Sequence, residues 1–258
     1  MTAFLVCGMM WVTIKVMGGV FVRDTRKNAE YFRGYIAREQ GRIEKYEGWI
    51  KNGEIATERI PSVKESICMI KQNIWFAKYS LGEPISDLID LYEEMANGLL
   101  EHFEPDVYSE ILLVISLGVL LNSEHKTFEL ISSKVQESGK TDWLCNYLIN
   151  SRIPEVEYES CKLLWPKDYL GLQQIVQKST KKAEDMFKYL SKSWYKSNKD
   201  AAWYDRHKRE KDEKFDYDRS TYYGYWSFES GAVAKILGLD DPILKDTPYY
   251  PYDLVHFK

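Results

Sequence analysis

Apolar residues recur at spacings of three and four along most of the chain, and strand-like alternation is scarce. That pattern predicts an all-α protein. Phe32, Ile36, Ile43, Tyr46 and Ile50 mark one face of a first long helix over about 25–50, which Asn52-Gly53 ends. A second helix starts near Pro61, a residue suited to a first turn, and runs to about Ser80 before Gly82 and Pro84 break it. The third, over about 84–101, buries Ile85, Leu88, Ile89, Tyr92, Met95 and Leu99 as one stripe. Residues 107–121 are apolar almost all round and too short to span a bilayer, so they read as a helix buried inside a bundle.

Ser123 and Thr141 are expected to cap two further helices, over about 124–137 and 141–151. Pro154 and Pro166 bracket a short helix, and residues 180–195 bury Ala183, Met186, Phe187, Leu190 and Trp194. Residues 205–219 are almost wholly charged and read as a solvated loop or frayed helix end. A final helix over about 227–238 ends at Gly238. The tail after it should lie extended, because Pro242, Pro248 and Pro251 forbid continuous helix. The whole is a bundle of about nine or ten helices in two packed subdomains, 23–138 and 139–258, with a soft boundary in Glu137-Ser138-Gly139-Lys140.

Charge changes the picture more than composition does. The net charge of −4 over 258 residues is unremarkable. Its distribution is not: residues 1–82 carry a net +5, residues 83–137 a net −10, and residues 138–258 a net +1. Asp87, Asp90, Glu94 and Glu101 follow helical spacing on a face of the third helix away from its apolar stripe, with Glu93 beside them. A solvated acidic face is the ordinary meaning of such a block. The functional one is a surface that opposes the Lys/Arg of a DNA-binding cleft, with Tyr92 and Phe103 available as aromatic anchors. Direct nucleic-acid binding is disfavoured, because the Lys/Arg of 178–214 are interleaved with acids and form no clean basic stripe.

Chemistry is hard to find. No glycine-rich phosphate loop, His-Glu-x-x-His or Gly-x-Ser-x-Gly motif occurs. Histidines 102, 125, 207 and 256 are scattered; His125 reads as surface decoration and His207 could hydrogen-bond an acidic partner. Cysteines 7, 68, 145 and 161 form no Cys-x-x-Cys pair and read as reduced thiols of a cytoplasmic protein, with Cys145 in the core. Glu101 and Glu104 could pair, with no sign of a substrate pocket beside them. No enzyme activity, metal or cofactor is expected.

Residues 1–22 are apolar and nearly uncharged, and three readings stand: an apolar anchor, a packed helix, or a mis-called start with translation beginning at Val20 or Val22. No membrane contact is expected unless this stretch is an anchor.

The C-terminal part carries a resemblance. Trp203-Tyr204-Asp205-Arg206-His207-Lys208, Tyr222-Tyr223-Gly224-Tyr225-Trp226-Ser227-Phe228-Glu229 and Ala232 through Asp240-Asp241 resemble the C-terminal domain of the polymorphic nuclease immunity family. Leu244-Lys245-Asp246 and Tyr249-Tyr250-Pro251-Tyr252-Asp253 through Phe257 continue it. Arg23-Asp24-Thr25 through Tyr31-Phe32, and Arg42-Ile43-Glu44, look like the start of that family's N-terminal domain. The resemblance implies an antidote that binds and silences a cognate secreted DNase used between competing bacteria. Among the motif residues, Tyr223, Tyr225, Trp226, Phe228, Tyr249, Tyr250 and Tyr252 are apolar bodies with a polar tip, suited to pinning a tail to a bundle. The rivals are a helical adaptor with no toxin partner and a hydrolase with an unrecognised site.

Overall fold

The computed structural model describes residues 22–101, 103, 108–123, 125–209, 215–239 and 242–258. The readings of residues 1–21, His102, Glu104, Asp240, Asp241 and the His125 side chain fall outside them. Among the described residues there is no strand, and nine helices have seven residues or more, as the apolar spacing predicts.

The first two helices form an antiparallel pair. α1 (Ala29–Lys51) opens on Asn28, whose side chain accepts from the Tyr31 N–H at 2.9 Å. Its buried residues, Tyr31, Phe32, Tyr35, Ile36 and Glu39, all lie in its first half; Ile43, Tyr46 and Ile50 on the same stripe are half-buried. α2 (Ile60–Leu81) has its proline in the first turn and stops at Gly82, whose φ of 96° is the left-handed conformation that closes helices.

The third predicted helix is two elements. Residues Ile85–Leu88 form a 3₁₀ turn, and α3 follows as Ile89–Glu101. α4 (Tyr108–Leu121) is buried from Ile111 to Leu121. Its all-round apolarity has a simple cause: α3, α5 (His125–Glu137), α6 (Trp143–Asn150) and two C-terminal helices pack around it. Cations serve its C-terminal end: Arg152 donates to the carbonyls of Gly118 and, just past the helix, Ser123, and Lys235 to those of Leu120 and of Phe257 in the tail.

Several expectations are corrected in the second half. Asp142, not Thr141, caps α6, accepting from the N–H groups of Leu144 and Cys145 at 2.9 and 3.0 Å. No helix lies between Pro154 and Pro166. Side chains hold that segment instead, with Asn146 donating to the Glu157 carbonyl and Asn150 to those of Pro154 and Val156. Pro166 begins a helix, α7 (Pro166–Lys178). The next element is one bent rod: α8 (Lys182–Lys188), a π turn (Tyr189–Trp194) and α9 (Tyr195–Ser197), burying Met186, Leu190 and Trp194.

In the charged stretch, Arg206–Arg209 make a one-turn α10, and Phe215 packs against Tyr31 and Gly34. α11 (Phe228–Ile236) crosses α4. The tail has no continuous helix, yet it is not wholly extended. Pro242 starts a one-turn α12 (Pro242–Lys245), and Pro251 precedes a one-turn α13 (Tyr252–Val255) that packs on α11 and α4.

Candidate functional site

The acidic block sits on an outer ridge. α3 lies between α2 and α5 above α4, so its apolar positions, Tyr92, Met95, Ala96 and Leu99, face inward and its acids outward. Asp87, Asp90, Glu94 and Glu101 are exposed and Glu93 is half-exposed. Asp87 stands on the 3₁₀ turn, out of register with the α-helical stripe, and its Oδ1 accepts from the neighbouring Ser86 hydroxyl at 3.0 Å.

The two adjacent glutamates diverge. Glu94 leans toward α2, where Lys71 Nζ donates to it at 2.7 Å. Glu93 leans toward α5 and accepts from the Thr127 hydroxyl at 2.8 Å. Between them, Asp90, Asn97 and Glu101 form an exposed crest. On the α2 side Glu65 comes near Glu110, whose carboxyl is held above its usual range by burial first and by Glu65 second. Tyr92 is fully committed to the core, its hydroxyl reaching Ser123 at 3.5 Å, so it offers no aromatic anchor at the surface. Phe103 is half-buried against the core.

The motif residues are elsewhere, at a junction between chain ends. Backbone N–H groups of Arg23 and Asp24 both donate to the Ser80 carbonyl, and the Ser80 hydroxyl donates to the Tyr223 carbonyl while accepting from Trp226 Nε1 at 2.9 Å. Gly224 has φ of 115°, and a Cβ there would come within 2.0 Å of Ser80 Oγ. That position therefore demands glycine. Buried Asp24 accepts from the Tyr222 hydroxyl and pairs with Arg26 at 3.1 Å. Asp253 receives Arg23 Nε at 2.8 Å.

The remaining motif side chains interlock. Trp203 stacks on Trp194 and meets Tyr225; Tyr204 stacks on Tyr195 at 4.5 Å. Asp205 accepts from the Tyr195 hydroxyl at 2.6 Å and pairs with Lys208. His207 Nδ1 lies 3.0 Å from the Tyr225 hydroxyl, and burial and Arg26 hold its pKa down. Phe228 packs on Trp75, Phe76 and Tyr79. Glu229 accepts from Trp194 Nε1 and the Ser227 hydroxyl. The Tyr249 carbonyl accepts from the Ser227 N–H, Tyr250 is buried, and Pro251 fits against Gly231.

Cys145 is buried, and its thiol is pushed far above its ordinary range by desolvation. Among the described residues no group of His, Cys, Asp and Glu could hold a metal ion, and no helix is long and apolar enough to cross a membrane.

Comparison with known proteins adds the family. Residues 23–132 match the N-terminal domain of PoNe immunity proteins (PoNi), and residues 140–254 match their C-terminal domain. No curated protein matches the chain. Among solved structures, the crystal structure of protein PA2201 from Pseudomonas aeruginosa is similar with a TM-score of 0.64 at 20% identity, over 91% of this chain and 90% of that one. At that identity the likeness shows the fold.

Proposed function

The chain belongs to the PoNe immunity protein (PoNi) family, and from that premise we propose that it inhibits its nuclease by laying the α3 ridge over the enzyme's basic DNA cleft. Family membership carries the coarse statement: this is an immunity protein against a polymorphic nuclease toxin, in a family that is not catalytic. The finer statement rests on one observation, the exposure of Asp87, Asp90, Glu94 and Glu101 on a ridge whose apolar side is already used.

The physics favours that placement. A cleft that binds DNA carries Lys and Arg, and opposed fields raise the encounter rate by orders of magnitude at low salt. The bundle holds its acids on a backbone fixed by core packing, so little ordering cost is left for the moment of binding. On this reading inhibition is stoichiometric, needs no covalent step and no nucleic-acid contact, and takes place in the cytoplasm. The motif residues serve the scaffold: their side chains are spent on each other, on Ser80 and on the chain ends, away from the ridge.

Co-expression with the cognate nuclease tests it. Survival of the cells and co-purification of a complex are expected. Equal killing with and without the protein would sink it, and would favour a helical adaptor with no toxin partner.

A further inference from the structure

A cleft of about 580 Å³ opens where the two halves of the chain meet, in the size range of small-ligand pockets, roughly 300–1,000 Å³. It lies apart from the α3 ridge: its lining comes from α2, α4, α7, the π turn, the loop before α10 and residues 223–229. Its walls are largely aromatic. Trp165, stacked face to face on Tyr108 at 3.8 Å, stands on one side. Trp194 and Trp203, stacked at 5.6 Å, stand on another.

Two carboxylates join these rings, Asp168 and Glu229, and no lysine or arginine is part of the lining. The Asp168 carboxylate has neither an ion-pair nor a hydrogen-bond partner among the described residues. Glu229 accepts Trp194 Nε1 at 2.6 Å and the Ser227 hydroxyl at 2.8 Å, both on Oε1, and Oε2 takes neither. Desolvation raises both carboxyls; the nearby Lys167 ammonium partly offsets this at Asp168, and no cation does so at Glu229. Neighbouring Lys167 is engaged with Asp200.

We propose that this cleft is a binding site for an organic cation, an alkylammonium or guanidinium group seated on the exposed Trp165 ring, whose other face is stacked on Tyr108, with Asp168 and Glu229 as its counter-charges. Ring faces attract such cations electrostatically, the more so where water is excluded. A carboxylate pair in a partly dry cleft supplies the charge that an apolar pocket lacks. Two sources share this chemistry, a free small amine and the Lys or Arg side chain of a bound protein.

Tryptophan fluorescence reads the site directly, since Trp165, Trp194, Trp203 and Trp226 all line it. The purified full-length protein is titrated with agmatine, with an arginine-bearing peptide blocked at both ends, and with a neutral alkylurea of similar length. Saturable quenching by agmatine identifies a free amine as a ligand. Quenching by the peptide alone identifies a protein side chain. Asp168→Asn with Glu229→Gln should weaken either by at least about tenfold. The amide oxygen that Glu229→Gln introduces can still accept from Trp194 and Ser227, so the fold is kept, as unchanged circular dichroism would confirm. The inference is overturned if neither cation saturates, if the urea binds as tightly, or if the folded double variant binds undiminished.

Discussion

Lys71 Nζ donates to Glu94 Oε2 at 2.7 Å, tying the acidic ridge of α3 to α2 at one point. The pair is partly exposed, Glu94 at 55% and Lys71 at 24% of their side-chain surface. One of the ridge's charges is therefore partly neutralised inside the molecule before any partner arrives, and Lys71 trims the field that the ridge projects.

Lys71→Met should strengthen that field. Exposed pairs of this kind contribute about 0–1 kcal/mol, so thermal stability should hardly move. Association with a basic nuclease should become faster at low ionic strength and converge with the wild-type rate in high salt. An unchanged low-salt rate in stopped-flow mixing would mean that Lys71 lies outside the field the partner senses.

Gly224→Ala should destabilise the protein by about 1–3 kcal/mol, because φ of 115° and the contact with Ser80 Oγ both oppose a Cβ. Ser80 also holds Tyr223, Trp226 and the chain near Asp24, so the loss should appear as one cooperative shift in a denaturant midpoint. A Ser80→Ala, Gly224→Ala cycle should be non-additive, since the two residues share the contact.

Arg152→Met should cost about 1–3 kcal/mol, because it strips the guanidinium from the Gly118 and Ser123 carbonyls at the end of the buried α4. Hydrogen exchange should show the excess opening confined at first to the α4–α5 junction. A midpoint equal to that of the wild type would show that water replaces Arg152 there without loss.

Glu229 gives a pH dependence with a definite sign. Burial raises its carboxyl above the usual value of 4.5 in the folded chain. Its contribution is then fully present below the unfolded value and is lost as pH rises through the folded one. Glu229→Gln should flatten the stability profile from about pH 4.5 upward and leave the variant at least as stable as the wild type at neutral pH. A steeper decline of the variant over that range would reverse the sign.

Much of the fold is legible in the sequence for physical reasons. α4 is readable because a helix covered on every side must be apolar on every side. The α3 stripe is readable because one buried face and one wet face impose helical spacing. α7 is not: Leu170 is 44% exposed while only Leu172 and Ile175 are buried, so its apolar face is narrow. Residues 151–165 are held by Asn146, Asn150 and Asp142 side chains bonded to backbone, contacts with no periodic trace. The acids of the candidate surface could be named from spacing alone, but the separate leanings of Glu93 and Glu94 depend on Thr127 and Lys71 in neighbouring helices. The aromatic cleft is invisible along the chain, since six separate segments build it.

The ridge itself is tested most directly by charge reversal. Asp90→Lys, Glu94→Lys and Glu101→Lys, combined in one variant, leave the buried side of α3 untouched. The association rate constant with the cognate nuclease should fall at least about tenfold at low salt, with the gap narrowing as salt rises. A folded variant that associates and protects as fast as the wild type at every ionic strength would contradict it.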